Sequence, residues 1–110
     1  MSTYNPEKWV MLKFNNNGNV CYNVLASWYG GFTRGNSWKL NSGVNRVEED
    51  KNYYYFYGAS GSVYQCHKKT YGMSAYTMGI LNQFYQDAKS AEGVTIELLQ
   101  EDTNFITLPY

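Results

Sequence analysis

Apolar and polar residues alternate along much of the first two thirds of the chain, and alternation of this kind predicts strands. Lys8–Phe14 (KWVMLKF) and Val20–Tyr29 (VCYNVLASWY) flank the sequence NNNGN. An Asn-Gly pair between two such runs supplies the positive φ angles of a tight hairpin turn. In the second run Val20, Tyr22, Val24, Ala26 and Trp28 share one face, while Cys21, Asn23, Leu25, Ser27 and Tyr29 share the other, half-polar one. A sheet with one covered and one partly wet face follows. Two short segments, SWKLN and GVNRVEED, come next, divided by Ser42-Gly43. Tyr53–Tyr57 (YYYFY) and Val63–Lys68 (VYQCHK) bracket a Gly-Ala-Ser-Gly-Ser break and predict a second hairpin. A strand made of consecutive rings needs ring-tolerant surroundings on both faces.

After Gly72 the period changes. Met78, Leu81, Phe84, Tyr85 and Ala88 recur at helical spacing, with Gln83, Gln86, Asp87 and Lys89 on the outer side. One helix is predicted, started by Ser74 or Gly72 and ended by Gly93, with its apolar stripe against the sheet. Val94–Leu99 alternates as a strand, Gln100–Asn104 turns, and Phe105–Leu108 is a last short strand or tail before Pro109. The sum predicts one α+β domain spanning residues 1–110. Its antiparallel sheet would have about five to seven short strands, with the single helix packed on one face. A flattened β-sandwich with the helix at one end is the alternative.

Composition adds a binding flavour to this architecture. Of 110 residues, 44% are hydrophobic and only 16% charged, and the balance is made up by neutral polar and aromatic residues, twelve of them tyrosine and ten glycine. Antibody binding loops have the same character, because tyrosine gives rigid contact area at low entropic cost. Small sheet-rich domains share it too. The net charge is zero, so neither a global attraction to nucleic acid nor an acidic mimic of it is expected. The charge is unevenly spread: eight basic and four acidic residues lie up to Lys69, one and five from Thr70 onward. Such halves suit polar association with partners or copies, or pairing within the domain.

The start, MSTYNPEKW, lacks a basic stretch before an apolar run, and the twelve asparagines include no Asn-x-Ser/Thr acceptor. No segment approaches the ~20 apolar residues of a membrane span. A cytoplasmic chain without membrane contact is expected. Its two cysteines, Cys21 and Cys66, are too few for a disulfide scaffold and are expected to be reduced and buried.

Candidate chemistry is sparse. Gly30–Ser37 approaches the phosphate-loop pattern but has Asn36 in place of the lysine, and no helix follows it. His67 is the single histidine and follows Cys66 directly, so on a strand the two point to opposite faces and form no nucleophile–base pair. One histidine and two scattered cysteines fall short of a zinc site. The Gly-Ala-Ser-Gly-Ser segment has its second glycine too early for a nucleophile elbow. Glu48-Glu49-Asp50 and Glu101-Asp102 read as solvated acidic loops. The expectation is a non-enzymatic protein with no catalytic residue, metal or cofactor.

The most site-like stretch is Ala26–Asn41, ASWYGGFTRGNSWKLN. Trp28 sits at a core-facing strand position. Tyr29, Phe32, Arg34, Trp38 and Lys39 are the candidate partner-binding residues, because exposed rings and arginine dominate binding hot spots. The combination of WYGGFTRGNSWKLNSG with GASGSVYQCHKKTYG resembles small accessory proteins of tailed bacteriophages, over about Lys8 to Leu108. The resemblance implies the cytoplasm of an infected bacterium. It also implies a protein that grips a host or phage macromolecule, for example an inhibitor of a bacterial defence complex in the manner of anti-CRISPR proteins. No catalytic or binding residue carries over from it. The expected function is occlusion of a partner surface, most simply that of a bacterial or phage protein. Single-stranded nucleic-acid binding and carbohydrate binding by the Tyr/Trp-rich face are the alternatives, and a homo-oligomer is compatible with all of them.

Overall fold

The Asn17-Gly18 pair folds the first hairpin with φ angles of 52° and 93°, the positive pair that the turn requires. The computed structural model describes residues 2–29 and 35–110. Its elements are β1 (Thr3–Tyr4), β2 (Lys8–Asn16), β3 (Asn19–Trp28), β4 (Ser37–Leu40), β5 (Val44–Glu49), β6 (Tyr53–Gly58), β7 (Val63–His67), α1 (Ala75–Lys89) and β8 (Val94–Leu98). They form an α+β domain in which the pairing is antiparallel except between β1 and β7. The strands number eight among the described residues, more than the expected five to seven, and they divide into two four-stranded sheets. A central sheet has the order β4-β3-β2-β8, and a tyrosine sheet the order β1-β7-β6-β5.

The central sheet is covered on both faces, which explains why KWVMLKF reads as a nearly continuous apolar run. Trp9 and Met11 of β2 point towards the tyrosine sheet, together with Tyr22, Val24 and Ala26 of β3. Val10, Leu12 and Leu25 point the other way and meet Leu81 of the helix. The order of layers is therefore tyrosine sheet, central sheet, helix.

Trp9 is the hub of the inter-sheet core. It is 1% exposed, and its ring lies 4.8 Å from Tyr71, 5.3 Å from Phe105 and 5.4 Å from Phe56. Its indole N–H donates to the His67 carbonyl at 2.8 Å, so burial leaves no orphaned donor. Phe105, expected in a final strand, lies in a turn instead and is 2% exposed. The tail is held by ring burial rather than by sheet pairing.

Sequential strands do not always pair. β4 joins β3 and β5 joins β6, so the chain passes from one sheet to the other between Leu40 and Val44. Gly43 sits at that crossing with φ 119°, where a Cβ would come within 2.9 Å of the Cys21 sulfur. Asn41 extends the β4 connection, its side-chain oxygen accepting the Val24 N–H at 2.7 Å. Ser74 caps α1 as expected, accepting from the Thr77 N–H. The helix stops at Lys89 with Ser90 as its cap, ahead of Gly93, which lies in the turn into β8. The buried line differs from the expected stripe at one position. Thr77 is fully buried, four residues before Leu81, whereas Met78 is 51% exposed. One position of rotation moves Met78 off the sheet-facing side.

Candidate functional site

The candidate residues of Ala26–Asn41 are not gathered on one surface. Phe32 and Arg34 lie outside the described residues. Trp38 is opposite Ser27 and Lys39 opposite Ala26, and neighbouring strand residues point to opposite faces. Trp38 accordingly turns to the helix side, edge-on to Phe84 at 5.6 Å. Lys39 turns to the other side, its ammonium 5.0 Å from the Tyr4 ring centroid. Tyr29 is exposed just beyond β3. Trp28 packs against the inter-sheet core, and its indole N–H donates to the Asn5 carbonyl at 2.9 Å.

Beside the Trp38–Phe84 contact, a cleft of about 290 Å³ runs between the helix and the central sheet. Phe14, Leu40, Phe84, Ala88 and Ile96 make it almost wholly apolar, with Asp87 at its edge. A second cleft, of about 460 Å³, shares Ala88, Val94 and Ile96 but is more polar, with Asn82, Gln86, Lys89 and Thr95 in its walls.

A different surface is built by the tyrosine sheet. In β6, Tyr54 and Phe56 point inward and pack against the core. Tyr53, Tyr55 and Tyr57 alternate with them and point outward, where neither the central sheet nor the helix covers them. His67 of β7 joins this face, opposite Tyr53 in register and edge-on to its ring at 5.0 Å. The sequence shows the run YYYFY. Knowing which of its faces is uncovered requires knowing where the second sheet lies.

Hydrogen bonds and charge hold two of these rings, Tyr55 and Tyr57, in place. The Tyr57 hydroxyl donates to Glu48 at 2.9 Å, and Glu48 also accepts from Arg46, whose guanidinium carbon stands 3.7 Å from the Tyr57 ring centroid. The Tyr55 hydroxyl donates to Asp50 at 2.6 Å. Asp50 also accepts the backbone N–H groups of Asn52 and Tyr53 and so shapes the β5–β6 turn. The Tyr55 hydroxyl and these two amides hold the Asp50 carboxyl below its ordinary range. Arg46, and then the Tyr57 hydroxyl, do the same for Glu48. Both carboxylates are ionised at neutral pH. On the inward side Lys68 donates to Glu49 at 2.6 Å and lies 5.0 Å from the Tyr54 ring centroid. Both of these ion pairs link residues of the basic-rich first part of the chain.

Cys66 and His67 point to opposite faces of β7, as their adjacency requires. The thiol is fully buried, and burial pushes its pKa well above the ordinary value. Cys21, expected to be buried, is exposed, since it lies near the Asn17-Gly18 turn at the end of the first hairpin; both thiols are free. Among the described residues no group of three or more His, Cys, Asp or Glu side chains could hold a metal ion. Among them, too, no helix is long and apolar enough to cross a membrane. No family model, curated protein or solved structure matches the chain.

Proposed function

We propose that this chain is a non-enzymatic binding protein that acts by covering a surface of another macromolecule, with the outer face of the tyrosine sheet as its contact surface. The observation that carries the reading is the row Tyr53, Tyr55, Tyr57 on the uncovered side of β6, with His67 beside it. Amphipathic rings lose little entropy when a partner settles on them, the more so where, as at Tyr55 and Tyr57, a hydroxyl bond already holds the ring. The resemblance to tailed-phage accessory proteins supplies a setting, the cytoplasm of an infected bacterium, and a class of target, a host or phage protein such as a defence complex.

The test is an affinity pull-down from bacterial lysate with the tagged chain, with and without nuclease, beside the triple variant Tyr53→Thr, Tyr55→Thr, Tyr57→Thr. Threonine keeps strand propensity on a solvent-facing row. A stoichiometric protein that survives nuclease and is lost with the variant is the expected result. A partner retained by the variant places the contact elsewhere. Partners that vanish with nuclease replace the reading with nucleic-acid binding.

A further inference from the structure

The tyrosine sheet repeats one arrangement three times: a tyrosine ring with a carboxylate beside it. Around Tyr57 the carboxylate is Glu48, and Arg46 fills the arrangement by lying over the ring and bonding the carboxylate. Around Tyr54, on the opposite side of the sheet, the carboxylate is Glu49 and Lys68 fills it in the same way. Around Tyr55 the carboxylate is Asp50, bound to the ring's own hydroxyl, and among the described residues no side-chain cation stands over that ring.

Asp50 keeps acceptor capacity for a newcomer. One oxygen takes the N–H groups of Asn52 and Tyr53, whereas the other takes the Tyr55 hydroxyl alone. A carboxylate oxygen accepts two hydrogen bonds comfortably. The Tyr53 ring flanks the position, its centroid 6.3 Å from that of Tyr55. We infer that Tyr55, Asp50 and Tyr53 form a recognition site for a guanidinium group, the side chain of an arginine presented by a protein partner. This rests on the reading of the tyrosine face as a binding surface and names the chemistry it takes.

The filled copies set the preference. The planar guanidinium of Arg46 approaches its ring to 3.7 Å while bonding the carboxylate, and the lysine ammonium stays at 5.0 Å. Stacking and donation at once are a property of the planar fork, which an ammonium lacks. Nucleic acid suits this face poorly, because Glu48 and Asp50 repel phosphates.

The direct test is an amide NMR titration of the full chain with acetyl-Gly-Arg-Gly-amide, alongside the lysine and citrulline versions. Saturable shifts confined to Asp50, Asn52, Tyr53, Tyr55 and His67 are expected. The lysine peptide should bind roughly two- to fivefold more weakly, and the uncharged citrulline peptide should be silent. Arg46→Ala provides an independent arm, since Arg46 is an exposed side chain whose removal empties the Tyr57–Glu48 arrangement. The variant should gain a second set of arginine-dependent shifts at Glu48 and Tyr57. Absence of shifts, equal response to citrulline or lysine, or no gain in Arg46→Ala overturns the inference. The two readings fail separately. Lysate capture through the tyrosine face without arginine binding sinks the guanidinium site alone, and arginine binding without such capture sinks the occlusion reading.

Discussion

Tyr71 shows how one hydroxyl can hold a junction. It accepts the Met11 N–H at 3.1 Å and donates to the Leu99 carbonyl at 2.6 Å, bridging the place where β2 and the end of β8 draw apart. Its ring also closes one side of the Trp9 cluster. Tyr71→Phe keeps the ring and leaves a backbone donor and acceptor short of a partner in a half-buried position. The expected cost is about 1–3 kcal/mol in denaturant unfolding; an unchanged midpoint would show that water replaces the hydroxyl at no cost. Met11 and Leu99 also bond directly, Leu99 N–H to Met11 carbonyl at 3.0 Å, so the variant should loosen the junction without separating the strands.

At the scale of elements, the helix is held by a narrow line of contacts. Leu81 is 3% exposed and meets Val10, Leu12 and Leu25, while Met78, only three residues earlier, is half exposed. Leu81→Ala should cost about 2–5 kcal/mol. Met78→Gln should stay within roughly 0.5 kcal/mol of the parent, as surface substitutions do. Thermal or denaturant melts of the two variants check the asymmetry, and comparable losses at both sites would mean that the helix sits rotated from this position. The second hairpin has its own division of labour. Phe56 and Tyr54 anchor it to the core, which leaves the alternating Tyr53, Tyr55 and Tyr57 on the outward face.

For the whole molecule, the ionisable groups set the pH range of stability at both ends. Asp50 and Glu48 titrate below their ordinary values because the Tyr55 hydroxyl and Arg46, respectively, favour their charged forms. Their contribution is full at neutral pH and is lost as the pH falls through the depressed values, below about pH 4. Tyr64 and Tyr71 behave oppositely: burial raises each to about 12. The fold favours their neutral forms, so the tyrosines' contribution is intact below about pH 10 and is lost as the pH climbs towards the folded values. The buried Cys66 thiol, pushed up in the same sense, begins the alkaline fall earlier, near the ordinary thiol value of about 8.5. Melting temperature against pH should show a plateau through neutrality with falls at the two extremes. A steep change between about pH 6 and 8 would contradict this assignment.

What the sequence by itself determined is local. Apolar and aromatic runs broken by turn residues placed both hairpins, Asn17-Gly18 set the first turn, Ser74 began the helix, and the adjacency of Cys66 and His67 put them on opposite faces. These follow from backbone geometry over a few residues, so the chain states them directly. Only the tertiary structure decided that β5 leaves β4 to join β6, that Phe105 is an inter-sheet plug, and that Cys21 is exposed. It also decided that Trp38 and Lys39, adjacent in sequence, serve different faces of the domain. Each of these depends on which distant segments meet, and period-two alternation names two faces without saying which one another layer will cover. The row of outward tyrosines is the clearest case: the letters YYYFY contain it, but the central sheet, by burying Phe56 and packing against the half-buried Tyr54, left Tyr53, Tyr55 and Tyr57 on the other side.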